Sequence, residues 1–181
     1  MSSESWHQDV LIFWFEELTK KDWFMSSTTL DETIKKRFAS IHTQLSKNTD
    51  LADDTDKLQA LASVIVLDQF SRNMFRGTPH AFASDPLSLH FTNQAIERQL
   101  DQSMTTDQKQ FLYMPLMHAE NISDQKRGLP YFAALGLSEH AIEHMEIIER
   151  FGRFPHRNTV LGRQSTADEI NYLKDAKRYG Q

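Results

Sequence analysis

The sequence predicts an all-α fold, about eight helices in one domain over residues 1–181. Three observations predict it. Apolar residues recur three and four apart in segment after segment, which is the spacing of a buried helix face. Capping residues open these segments, and glycine or proline closes them. No segment reads as a strand, and no repeat of fixed period appears.

Bulk composition sets the outer limits. A hydrophobic fraction of 39% with 25% charged residues in 181 is that of a globular chain able to bury a core. The formal charge is −5, from 20 Lys and Arg against 25 Asp and Glu, which argues against a general nucleic-acid binder. Cysteine is absent, which excludes disulfides and thiolate catalysis. The first thirty residues lack the basic and apolar regions of a signal peptide, and no apolar run approaches the roughly 18–20 residues that span a bilayer. A cytoplasmic protein with no membrane partner is expected.

Along the chain, Trp6, Val10, Phe13 and Trp14 mark a first helix over 6–18, with Trp23-Phe24 anchoring the connection after it. Thr28 to Asp31 has the form of a capping box with Asp in place of Glu, and Ile34, Phe38, Ile41 and Leu45 give the next helix its apolar face. Residues 47–56 form a polar, acidic link. A helix over 56–76 carries Leu58, Leu61, Ala62 and Ile65. Asp85 is the expected N-cap of the helix after it, with Pro86 in its first turn. A helix from Thr106 should kink or restart at Pro115, because proline removes a backbone donor. Next come residues 124–135 and a strongly periodic helix from Ser138 to Gly152. The last helix, capped by Ser165 or Thr166, runs to about Arg178.

Polar residues inside this frame are the site candidates. Continuing the apolar stripe of helix 56–76 gives Gln69, Arg72 and Arg76, polar where the helix should still face inward. Asp68 and Arg72, four apart, can pair. Two readings stand, a helix end emerging into water and the wall of a polar pocket. His118 and Glu120 come after Pro115 and point in different directions on a helix.

Arg150-Phe-Gly-Arg-Phe-Pro-His-Arg-Asn-Thr-Val-Leu-Gly-Arg163 holds four arginines and one histidine without an acid, inside an acidic protein. Arginine's planar fork of donors matches a carboxylate or phosphate. The alternative is that these arginines bind the protein's own carboxylates. His140-Ala-Ile-Glu-His144 matches an inverted zinc-peptidase motif, but no third ligand is evident, and no metal is expected. Other metal patterns fare no better: the sequence shows no His–Asp dyad and no Glu-x-x-His pair of a di-iron bundle. Glycine-rich phosphate loops and a nucleophile elbow are missing, which leaves cofactor-free histidine acid–base chemistry beside arginine clamps.

At these residues the chain resembles the "domain of unknown function 924" family. The resemblance rests on Phe13-Trp14-Phe15, Trp23-Phe24, Leu67-Asp-Gln-Phe-Ser-Arg-Asn-Met-Phe-Arg76 and Ala81-Phe-Ala-Ser-Asp85. It continues through Tyr113-Met-Pro-Leu-Met-His-Ala-Glu120, Gln125 and His144 to Arg163, nearly the whole chain. It implies stacked antiparallel helix pairs similar to tetratricopeptide-like superhelices, and no established activity. It groups Asp68, Gln69, Arg72, Asn73, Arg76, His118, Glu120, His144, Arg153, His156, Arg157, Asn158 and Arg163 within its motifs.

The expected site is a pocket that binds a small anionic ligand. His118, His144, His156 and Glu120 are its catalytic candidates. Asp68, Gln69, Arg72, Asn73, Arg76, Arg153, Arg157, Asn158 and Arg163 are its binding residues. Whether the chain is an enzyme is left open. The alternative is a helical module that binds a protein partner, with the arginine loop purely structural. Nucleic acid is not an expected partner.

Overall fold

The computed structural model describes residues 5–175. All regular structure among them is helical, as the periodicity requires. Helix α1 is Trp6–Ile12 and continues into a π turn, Phe13–Glu17. Helix α2 is Thr28–Leu45. Helix α3 is Lys57–Ile65, extended without a break by a second π turn, Val66–Phe70, and by Ser71–Met74. Then come α4 (Asp85–Glu97), α5 (Thr106–His118), α6 (Ile122–Ala134), α7 (Ser138–Phe151) and α8 (Ala167–Asp175). The expected end of α8 near Arg178 lies outside the described residues.

Local chemistry accounts for the boundaries. Asp56 and Gln59 form a reciprocal capping box at the start of α3, and Thr105 and Gln108 form one at α5. Thr166 and Glu169 do the same before α8. The cap of α2 is Ser27 rather than Thr28; its side chain accepts from the Leu30 N–H, and Asp31 is used elsewhere. Gly152 closes α7 at φ 69°, in the left-handed region that a residue with a Cβ enters only at a steric cost. Pro115 does not restart α5. The helix runs through it, and in the same turn the Thr92 hydroxyl donates to the Leu112 carbonyl at 2.9 Å.

Each of α4 to α7 packs on the helix before it, while α1 and α2 pack against α3. The main core gathers Phe13, Trp14, Phe38, Phe70, Phe111 and Phe132 around the aliphatic face of α3. A second, smaller cluster of Ile147, Ile148 and Phe154 lies under the arginine loop, with Tyr172 of α8 against it.

Candidate functional site

The π turn in α3 sets the position of the first functional group. A π turn takes one residue more than an α turn and so rotates the residues beyond it about the helix axis. Asp68 lies in that turn and is 1% exposed. A buried carboxylate must find partners. Its Oδ1 accepts from His118 Nδ1 at 2.8 Å and from Arg72 Nη2 at 3.4 Å, and its Oδ2 accepts from Gln69 Nε2 at 2.5 Å. Burial alone would raise its pKa. The charge of His118 when its ring is protonated and that of Arg72, with the hydrogen bonds from His118 and Gln69, outweigh burial and hold Asp68 well below the usual carboxylate range.

This fixes the histidine's tautomer. An ionised Asp68 can only accept, so His118 Nδ1 carries the proton, and the neutral ring presents Nε2 as a lone pair. The His118 side chain is 17% exposed, and no group among the described residues partners its Nε2. The chain therefore holds a His–Asp dyad, and the expectation that there is none is corrected. Its members stand 50 residues apart, where local spacing carries no signal.

Two arginines sit beside the dyad. Arg72 grips Asp85 with two parallel bonds, at 2.7 and 3.0 Å, and donates to the Ala81 carbonyl. Arg157 donates to Asp85 at 3.2 Å and to the His118 carbonyl at 3.1 Å. Its guanidinium lies between the Phe82 and Phe154 rings, 4.6 and 4.5 Å from their centroids, and Arg72 faces Phe82 as well. The Arg157 Nε is buried without a hydrogen-bond partner among the described residues. Burial first, then the charge of Arg72, lowers the Arg157 pKa to about 10. Asp85 therefore serves the arginines and not the helix terminus. Ser84 precedes α4, and Asp85 and Pro86 are its first two residues.

The rest of the loop is tied to carboxylates of the chain itself. Arg163 makes two bonds to Glu120, at 2.6 and 2.9 Å, and Glu120 also accepts from the Phe154 N–H. Arg153 makes two bonds to Glu169, at 2.7 and 2.8 Å. Asn158 is fully buried between Arg163, Ser165 and Glu169, and Arg150 pairs with Asp168. The hydrogen bonds from Arg153 hold the Glu169 carboxyl down at about 2.

The structure thus divides the sequence candidates. Asp68, Gln69, Arg72, His118 and Arg157 form one network. Glu120, Arg153, Asn158 and Arg163 fix the loop that carries Arg157. Asn73 and Arg76 converge instead on Asp31, the residue read from sequence as part of a cap. His144 donates its Nδ1–H to the His140 carbonyl within its own helix and meets Phe154 edge-on at 5.7 Å. Burial lowers the pKa of His144 to about 4 and that of His156 to about 3. Among the described residues no three His, Asp or Glu side chains gather as a metal-ligand set.

Sequence reasoning missed Asp85, Glu169 and Phe82 as site residues. The two acids carried ordinary capping signals, which hid their second role. Phe82 carried only the resemblance. Clefts of ≈430 and ≈150 Å³ open elsewhere, beside the Thr19–Trp23 turn and beside the 48–55 link. The dyad network lines neither.

The fold and this network define an all-helical protein with a histidine–aspartate pair and clustered arginines. The chain belongs to the family described as "Bacterial protein of unknown function (DUF924)", whose model matches residues 10–177. It is similar to a solved protein of unknown function from Agrobacterium tumefaciens, at 36% identity over 94% of this chain and 97% of that one, with a TM-score of 0.84. No curated protein matches it. Among the described residues no helix is long and apolar enough to cross a membrane.

Proposed function

We propose that Asp68 and His118 form the acid–base element of a site for a small carboxylate or phosphate, on which the chain acts without a cofactor. The observation that carries this is an Nε2 without a partner among the described residues, on a part-exposed ring whose other nitrogen is held by a buried, ionised aspartate. A ring so oriented keeps one tautomer and takes a proton at one defined atom. Gln69 and Arg72 hold Asp68 in place. Arg72 and Arg157 supply positive potential beside the ring, and the Arg157 Nε–H is a donor that no group among the described residues uses. His144 and His156 are neutral at pH 7 and act as hydrogen-bonding walls. Glu120, Arg153, Asn158 and Arg163 position the loop.

A second reading, a helical module for a protein partner with a purely structural loop, has one observation in its favour. Each arginine from Arg150 to Arg163 already has an internal carboxylate. Native mass spectrometry of the purified chain separates the two. The ligand reading expects a retained small anion that is lost from His118→Gln without loss of fold. An apo mass alone, with no thermal shift across a panel of millimolar carboxylates and phosphates, would favour the module.

A further inference from the structure

The ≈430 Å³ cleft beside the Thr19–Trp23 turn has the size of a small-molecule site, which runs from about 300 to 1,000 Å³. We infer that it binds a small zwitterion with a flat apolar body, an aromatic amino acid being the simplest case. Phe15, Leu18 and Trp23 form its apolar wall. The Phe15 and Trp23 rings meet edge-on at 5.8 Å. Phe15 comes from the π turn that ends α1, and Trp23 is held by its own indole N–H, which donates to the Trp14 carbonyl at 2.7 Å. The wall is therefore preformed, as a site for a flat body requires.

The rim carries one charge of each sign. Lys20 Nζ donates to Asp107 Oδ1 at 2.7 Å and lies 5.8 Å from the Trp23 ring centroid. Both charges sit on fixed elements. Asp22 accepts from the Thr19 amide and hydroxyl and so ties down the Lys20 turn, while Asp107 is in the first turn of α5. An exposed pair of this kind adds little to stability, so the fold gives up little when a ligand parts it. A zwitterion replaces both halves at once, its carboxylate on Lys20 and its ammonium on Asp107. A plain acid would strand Asp107, and a plain amine would strand Lys20. About 16 Å of helix α5 separates Asp107 from His118, so this site is distinct from the dyad.

The test is a tryptophan-fluorescence titration of the full chain with L-phenylalanine, whose own ring is silent at the excitation used. A saturable change is expected. Lys20→Met and Asp107→Asn, each with an unchanged far-UV circular dichroism spectrum, should weaken binding at least about tenfold, the cost of one charged hydrogen bond. Phenylpropionate and phenethylamine should bind at least about tenfold more weakly than phenylalanine, and alanine should give no signal. No saturation at millimolar ligand, equal affinity for the acid or the amine, or unchanged binding by the two variants would each overturn the inference.

Discussion

At the residue scale the chain concentrates its electrostatic tension at two side chains, Asp68 and Arg157. Asp68 is stable as a buried anion because three donors converge on it. Arg157 is stable as a buried cation because Asp85, the His118 carbonyl and two aromatic faces receive it. Arg157→Met keeps much of the volume and removes the charge. Asp85 keeps Arg72, but the sandwich between Phe82 and Phe154 is emptied of its cation. A loss of about 3–5 kcal/mol is expected from breaking a buried pair on one side, measured by urea unfolding. A loss near zero would mean that Arg157 is held for a ligand alone.

At the element scale the loop from Gly152 to Arg163 behaves as a stapled segment. Gly162 takes φ 65° at its far turn, and Glu120 in the link between α5 and α6 and Glu169 in the first turn of α8 hold it from two sides. The loop was legible in sequence as a cluster of cations. Its partners were not, because Glu120 lies 43 residues before Arg163 and Glu169 reads locally as a cap. The helices were legible for the opposite reason: spacing and caps are local signals, so every apolar stripe marked a helix. Pro115 does not restart the helix because tertiary packing on both sides of α5 outweighs one missing donor. The two π turns left no periodic signature, since one extra residue in a turn changes only the register after it. Glu120→Gln should cost about 1.5–3 kcal/mol by denaturant unfolding, the range for hydrogen bonds to a charged group. A cost below about 0.5 kcal/mol would show that the loop is held by Phe154 packing and not by this pair.

At the scale of the whole molecule, the polar network lies beside the smaller core cluster, whose Phe154 it shares, so protonation there is coupled to folding. The folded pKa values of His144 and His156 are about 4 and about 3, against about 6.5 unfolded. The sign comes from proton counts. Between about pH 6.5 and 4 the unfolded chain binds protons that the folded chain refuses, so stability is full above about 6.5 and falls as pH drops. The slope approaches about 1.4 kcal/mol per pH unit for each histidine. Protonation of Asp68, Glu120 and Glu169, all held low, deepens the loss below about pH 4. Melting temperature should be level from about pH 8 to 7 and decline steadily to about pH 4.5, less steeply in His156→Asn. A level profile down to about pH 4.5 would contradict the burial of these rings.

The claim that His118 is an oriented proton acceptor is tested most directly by long-range ¹⁵N–¹H nuclear magnetic resonance of the histidine rings, with and without millimolar phosphate or a small carboxylate. The neutral His118 ring should show a protonated Nδ1 and an unprotonated Nε2, and the added anion should shift the Nε2 resonance while leaving that of exposed His90 in place. A protonated Nε2 in the neutral ring, or a His118 ring that no anion moves, would contradict it.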